Sequence, residues 1–319
     1  MAINEDVIDI SVLVVTWNVE DIIEECLKSL FKYTNLNCEV IIVDNDSSDN
    51  TCEVIKNKFK NKVKLIESKE NLGFSKANNV ALKYAKGKYI FYMNPDVIFV
   101  EDILNKMISV LETNRDIGIV SPRLLNVDKS LQISYSNFPG VKKTLFDDFK
   151  LGRLLSKDLK MKYYQTKVKS DENRYVDWTH GAAHLCRYED VKKVNGYPDS
   201  YFMYGEDTEF CMVFLDDLSK KVYYLAECRL IHLGGYSEKQ VLNSKKIIYG
   251  TNASLYFVRK YYGSGILGLT RLLLFINYII KYCLMSAKCV FDKSSENTNK
   301  KEKFKLAGKT ILNYKNQIN

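Results

Sequence analysis

The sequence predicts an α/β fold: a mostly parallel central sheet flanked by helices, followed by a helical, basic C-terminal extension. Three observations carry that reading. Short apolar, β-branched or aromatic runs of strand length alternate with segments whose apolar residues recur at helical spacing. Each strand-like run stops abruptly on a polar cluster rich in Asn, Asp and Thr. Charge is divided unevenly as well. Of a net +8, residues 240–319 hold 14 Lys and Arg against 3 Asp and Glu, and the remainder holds 33 against 36. At 319 residues and 46% hydrophobic content, the chain suits one large domain with an appendage. We divide it into an α/β domain over 1–240 and a helical, basic region over 241–319.

Residues 10–15 (ISVLVV) read as a strand buried on both faces, as in a parallel sheet, ended by Thr16-Trp17-Asn18. Residues 21–33 carry Ile22, Ile23, Cys26, Leu27, Leu30 and Phe31 at helical spacing. A second strand at 39–43 closes on Asp44-Asn45-Asp46-Ser47-Ser48-Asp49, which caps the helix at 50–59. A third strand at 63–67, a turn at 71–74 and a third helix at 75–85 follow. The fourth strand, 89–93 (YIFYM), runs into Asn94-Pro95-Asp96. Pro95 cannot donate to a ladder and biases Asn94 towards an extended backbone, so the strand ends there.

Asp96 then stands at the carboxyl edge of the sheet, where open α/β folds bind ligands. Two readings stay open: a hard oxygen ligand for Mg²⁺ or Mn²⁺ carrying a diphosphate, or an N-cap for the apolar helix expected over 103–111. The clusters at 16–18, 44–49 and 94–96 all follow strand ends, so they converge on one edge. That residue set suits a nucleotide's base, ribose and phosphates. Neither G-x-G-x-x-G nor a Walker loop is present. A nucleotide site here therefore needs a metal for the diphosphate.

VVTWN, VDNDSSDNT, ENLGFSKANN and YMNPDV, in this order, resemble family 2 glycosyltransferases of the GT-A fold, in the rhamnosyltransferase-like group. The resemblance implies that Thr16, Asn18 and Asp44 contact the nucleoside. It adds Asn45, Asn71, Gly73, Phe74 and Asn79 to the nucleotide-sugar site. Asn94 and Asp96 take the place of the family's Asp-x-Asp, with Asp96 as the metal-ligating member; Trp17 stands where many relatives carry Tyr. Downstream, DWTHGAAH (177–184) sets His180 and His184 at i and i+4, a spacing open to zinc on a helix. Gly181 between them and the lack of a Glu after His180 favour a tight turn. The resemblance makes Gly181 and Ala182 the floor beneath the donor sugar and His184 a packed residue.

YFMYGEDTEF (201–210) is the second chemical centre. Glu206 and Asp207 could simply favour a helix N-terminus, or supply the base that sugar transfer to a hydroxyl requires. The resemblance implies Asp207 as that base, with Glu206 supporting it. His232, after an apolar run, is either structural or, by resemblance, in contact with the metal or diphosphate.

The implied reaction is inverting transfer of a sugar, rhamnose first, from a dTDP- or UDP-linked donor to a hydroxyl of a glycan or lipid-linked glycan in cell-surface polysaccharide assembly. One rival is a nucleotidyltransferase acting on sugar phosphates. It would need a Gly-rich basic loop near the first strand, and residues 16–24 contain no Gly, Lys or Arg. A nonenzymatic basic nucleic-acid-binding protein would bind through the tail, where no RNA- or DNA-binding motif accompanies the Tyr and Lys residues.

Residues 126–175 lose clear periodicity, and 146–164 read as a helical excursion of the kind that carries substrate contacts. Beyond 243 the chain turns helical. Arg271, Asn277, Lys281 and Lys288 interrupt 255–291, and no uncharged run of about 18 residues exists, so no spanning helix is expected. Thr270, Asn277, Lys281 and Lys288 fall on one stripe, which either faces an anionic bilayer interface or packs on the enzyme body. Residues 293–319 read as a partly disordered basic end. Eight cysteines without Cys-x-x-Cys spacing argue against zinc and disulfides. With no secretory signal visible, the expected location is the cytoplasm, at the inner face of the membrane.

Overall fold

Strands β1 (Ile10–Thr16), β2 (Cys38–Asp44), β3 (Lys64–Glu67) and β4 (Tyr89–Met93) lie parallel in the order β3-β2-β1-β4. Helices α1 (Ile23–Tyr33), α2 (Thr51–Phe59) and α3 (Phe74–Leu82) form the crossovers. The computed structural model describes residues 8–156, 159, 171–201, 204–234 and 243–315. α1 buries Ile23, Cys26, Leu27 and Leu30, the i, i+3, i+4, i+7 face its sequence offers. Because the strands are parallel, Thr16, Asp44 and Met93 finish at one edge.

Past β4 the chain departs from expectation. A short strand, β5 (Val97–Phe99), precedes α4 (Leu104–Thr113), so Asp96 is not a helix N-cap. Three residues are too few for a periodic signal, and the partner of β5 is remote: it pairs antiparallel with the end of β12 (Lys221–His232), setting Val97 opposite His232. β6 (Ile117–Leu125) runs through Pro122. Its parallel register with β12 slips between Leu225 and Arg229, opposite the proline that has no N–H to donate. β11 (Ala183–Arg187) runs antiparallel between β4 and β6. The order is β3-β2-β1-β4-β11-β6-β12-β5, with β7 (Leu131–Gln132) on β6 and β9 (Arg174–Val176) on β12. β8 (Tyr135–Ser136) and β10 (Trp178–Thr179) form a separate ribbon.

Two compact units result: residues 1–136 with 169–240, and 137–168 with 241–319. One boundary falls at 240, and residues 137–168 group with the C-terminal region. The first unit holds the sheet, α1 to α4, and helices α6 (Tyr188–Lys193) and α7 (Glu206–Leu218). The second holds α5 (Val141–Lys143), which continues as a π-helical turn over Thr144–Asp148, and a 3₁₀ turn over Leu151–Leu154. The rest of the expected 146–164 excursion lies largely outside the described residues. The long helix α8 (Asn243–Phe291) is broken at Gly263 (φ 80°, ψ 179°), and α9 (Ser295–Leu312) follows.

Three C-terminal expectations bear on this second unit. Of the stretch expected to be partly disordered, 295–312 are helical: Ser294 caps α9, which buries Ala307, Gly308 and Ile311. Arg271 donates to the carbonyls of Ile311 and Leu312 at 2.9–3.2 Å, a C-terminal cap. The polar stripe is divided: Thr270 and Asn277 are 1% and 5% exposed, with Asn277 Nδ2 donating to the Asp148 carbonyl at 3.0 Å, whereas Lys281 is half-buried and Lys288 exposed. Finally, by length and composition alone, residues 244–291 contain an 18-residue window apolar enough to cross a membrane, only 17% of it buried. The expectation had required a strictly uncharged run.

Candidate active site

Each polar cluster at the sheet edge is organised by its own hydrogen bonds. Asp44, 2% exposed, accepts on Oδ1 from Thr16 Oγ1 (2.8 Å) and Ser47 Oγ (2.7 Å), and on Oδ2 from the Ser47 amide (2.9 Å). Ser47 Oγ accepts in turn from the Asn18 amide at 2.9 Å. Asn18 adopts φ 50° and accepts on Oδ1 from the Ser48 amide at 2.7 Å. Asn45 shapes the next loop: Nδ2 donates to Asn71 Oδ1 (2.9 Å) and to the Gly73 carbonyl (3.4 Å), and Oδ1 accepts from the Leu72 amide (2.8 Å). The loops after β1 and β2 and the turn before α3 are thus tied together, with Asn18, Asn71 and Phe74 partly open to solvent.

The β5–β12 pairing brings His232 to Asp96: Nε2 stands 3.2 Å from Oδ1. The tautomer can be read from the neighbours. Gln132 Nε2 lies against two acceptors, Asn126 Oδ1 (3.2 Å) and the His232 carbonyl (3.3 Å), which orients its amide. Gln132 Oε1 therefore faces His232 Nδ1 at 2.5 Å, and Nδ1 carries the hydrogen. In neutral imidazole, Nε2 then presents a lone pair to the Asp96 carboxylate. Adjacent ligands of an octahedral Mg²⁺, at bonds of 2.0–2.1 Å, stand about 3 Å apart. The donor set and its spacing therefore fit a hard divalent cation. Among the described residues no cluster of three or more His, Cys, Asp or Glu forms a metal site, so a cation here would draw only these two donors from the set.

A second line of contacts runs from Asp96 to α7. The Asn94 amide donates to the Ala182 carbonyl at 3.0 Å, and the neighbouring Gly181 amide reaches Asp207 Oδ2 at 3.4 Å. A Cβ on Gly181 would stand 3.3 Å from Tyr197 Oη, a tight approach, and 3.4 Å from Asp207 Cβ, an ordinary contact. Asp207 lies in the first turn of α7, entered through two left-handed residues, Tyr204 (φ 70°) and Gly205 (φ 95°). Such a backbone is strained for tyrosine, and strain of this kind collects at functional sites. Burial holds the Asp207 carboxyl above its ordinary range, while His180 and the Thr208 amide (2.7 Å) pull it partly back. Glu206 is the first residue of the same helix.

Two sequence expectations, Thr16 and Asn79, take other roles. Thr16 is fully buried and spends its hydroxyl on Asp44, so it supports that carboxylate and has no surface for a nucleoside. Asn79 clamps the main chain of Tyr197 with both ends of its amide, at 2.8 and 2.9 Å, and holds the floor of the site instead of a ligand. His184 sits fully buried between Thr179 Oγ1 (2.8 Å) and Tyr197 Oη (3.1 Å), and burial pushes its pKa down to about 3. His180 stacks on Trp178 at 5.3 Å instead, so the two histidines do not form a zinc pair. Gln132 went unforeseen; it lies in the stretch without periodicity. Glu209, fully buried and accepting from Tyr201 Oη, was also missed, although its i+3 spacing from Glu206 was visible.

Comparison with known proteins bears on this geometry. Residues 11–180 match the model of glycosyl transferase family 2. Rhamnosyltransferase WbbL of Escherichia coli K12 is 31% identical over 175 residues, covering 52% of this chain and 63% of WbbL. WfgD of Escherichia coli, a UDP-Glc:alpha-D-GlcNAc-diphosphoundecaprenol beta-1,3-glucosyltransferase, is 32% identical over 105 residues, 33% of this chain and 42% of WfgD. The chain thus spans less than two thirds of the length of these relatives. Mannosyltransferase PcManGT from Pyrobaculum calidifontis, solved with GDP-Man and Mn²⁺, superposes with a TM-score of 0.60 at 14% identity, covering 98% of this chain and 89% of its own. S. aureus TarS gives 0.52 at 18% identity, over 84% and 42%. These two likenesses concern the fold, which is GT-A. With more than half its length matched by the family model, the chain belongs to glycosyl transferase family 2.

Proposed function

We propose that the protein transfers a sugar, with inversion, from a nucleoside-diphosphate sugar to a hydroxyl of a glycan or lipid-linked glycan. The observation that carries this is the unbroken line Asp207–Gly181–Ala182–Asn94–Asp96–His232, joined by contacts of 3.0–3.4 Å along one sheet edge. It sets a partly desolvated carboxylate at one end and a two-donor cation seat at the other. The nucleoside lies over Asn18, Asp44 and Asn71; the sugar lies on Gly181 and Ala182 beside Asn94. Asp207, its proton affinity raised by burial, takes the acceptor hydroxyl's proton as that oxygen attacks the anomeric carbon. The bond from that carbon to the diphosphate breaks, and its electron pair leaves on the diphosphate oxygen. Gly181 admits the sugar because it has no side chain, and Glu206 steadies the acceptor. Asp96 and His232 would hold a divalent ion, which would supply charge neutralisation for the leaving diphosphate.

The donor is dTDP- or UDP-linked, with rhamnose favoured by the likeness to WbbL. The acceptor class is suggested by WfgD, whose name specifies a diphosphoundecaprenol-linked sugar. Eight free cysteines agree with the cytoplasm, at the inner membrane face. The first unit is then the catalytic domain. A thermal-shift panel of nucleoside diphosphates and nucleotide sugars, with and without Mn²⁺, tests the reading. One base series should raise the melting temperature, and more so with metal. No stabilisation by any of them would reject it.

A further inference from the structure

The helix after Gly263 presents its polarity inside out. At 100° per residue, Ile266, Leu269, Leu272, Ile276, Ile280 and Leu284 fall within one arc, and they are 39–66% exposed. Phe291, at the end of the same helix, is 91% exposed. The opposite face carries Leu267, Leu274 and Tyr278 and packs against Ile311 and Tyr314 of the C-terminal segment. Thr270 and Asn277, between the two faces, are buried. A water-facing helix shows the reverse arrangement. Contiguous exposed apolar surface of this extent marks an interaction site.

We propose that residues 264–291 lie in the plane of an anionic bilayer surface, their apolar arc in the acyl boundary and the lysines along one border on lipid phosphates. Two further observations select this occupant. Residues 240–319 carry net +11 while the rest of the chain carries −3, and Lys281 and Lys288 follow one border of the arc. At that border Lys143 stands 3.7 Å from Asp148, and Lys281 lies in the field of Lys143, Lys150 and Asp148, three cations to one carboxylate. A cavity of about 170 Å³ lined by Lys143, Thr144, Asp148 and Thr270 opens beside them. The buried Thr270 hydroxyl lines it and has no hydrogen-bond partner. The helix lies flat because its opposite face is packed against Ile311 and Tyr314 of the same unit and Arg271 is committed to carbonyls there. The inference deepens the lipid-linked acceptor reading but can stand or fall without it.

The test is co-sedimentation of the full chain with vesicles of phosphatidylethanolamine and phosphatidylglycerol, against phosphatidylcholine alone. The wild type should bind the anionic vesicles at low salt and release as salt rises. Leu272→Glu with Leu284→Glu, both at exposed positions, should weaken binding about tenfold or more per residue. Lys281→Gln and Lys288→Gln should each weaken it about fivefold. An unchanged melting temperature certifies the fold; should the glutamate pair fail to fold, the lysine variants and the salt slope decide. Indifference of the wild type to anionic vesicles overturns the proposal. So does unchanged binding of the folded glutamate pair, or a dimer that the pair dissociates while vesicle binding persists. Vesicle binding with no nucleotide-dependent shift in melting would reject the transferase reading alone.

Discussion

In the first unit, α1 turns Ile23, Cys26, Leu27 and Leu30 to the sheet and its charged residues to water. In the second, the helix after Gly263 turns Thr270 and Asn277 inwards and leaves Leu272, Ile280 and Leu284 outside. The same amphipathic rule is obeyed in both, but the surroundings it answers to differ. The first unit is arranged for water above a polar sheet edge whose hydrogen bonds are already made. The second, on the proposal above, is arranged for a boundary that offers hydrocarbon and anions together. Chemistry and address are therefore separable, and mutations in one unit should leave the other's property intact.

The sharpest way to separate them is Asp207→Asn. The amide keeps the size of the carboxylate but cannot take a proton. Turnover should fall by roughly 10²–10⁴-fold, with donor affinity and vesicle binding retained. Near-normal turnover would move the base elsewhere, with Glu206 next to test. Gln132→Leu removes the acceptor that fixes the His232 tautomer. Mn²⁺ affinity, read by the metal's spin-resonance signal, should weaken by roughly 10–100-fold. An unchanged affinity would confine Gln132 to packing.

Asn79→Ala breaks the clamp on Tyr197 and leaves buried main-chain groups unpaired, a loss of roughly 1–3 kcal/mol by denaturant titration. If stability is unaffected while donor binding drops, Asn79 is a ligand contact after all. The smallest effect concerns pH. The folded Asp207 pKa is raised, so the unfolded chain releases this proton first as pH rises. Stability is therefore lost between the ordinary aspartate value, near 3.9, and the raised one. Asp207→Asn should accordingly melt slightly higher than the wild type at neutral pH. The acid limb of kcat/KM in the wild type should lie above the usual aspartate range. A lower melting temperature for the variant would contradict the burial cost assigned here.

Much of the sheet edge was legible because local signals agreed there. Apolar runs, polar stops and Pro95 fixed the ends of β1, β2 and β4 from neighbouring residues alone. What escaped depends on distant pairing. β5 is three residues long and exists because the end of β12 needs a partner, and that pairing is what carries His232 to Asp96. Gln132 enters through a two-residue strand in a stretch without periodicity. The roles of Thr16 and Asn79 were misjudged because a motif supplies residue types, not the direction in which an amide or hydroxyl spends its hydrogen bonds. The polar stripe of the long helix was visible with both its facings left open, and it divides between them: Thr270 and Asn277 are buried, Lys288 is exposed. Periodicity marks two faces and does not say which one meets protein.

The central claim, a nucleotide-sugar site completed by a cation on Asp96 and His232, is tested most directly by calorimetric titration. UDP, dTDP and GDP would be titrated with and without Mn²⁺ into the wild type and Asp96→Ala. One diphosphate should bind the wild type, with metal tightening it, and Asp96→Ala should lose the metal's increment while keeping its melting temperature. Binding of that nucleotide to Asp96→Ala with the metal increment intact, or no nucleotide binding to the wild type at all, would contradict the account.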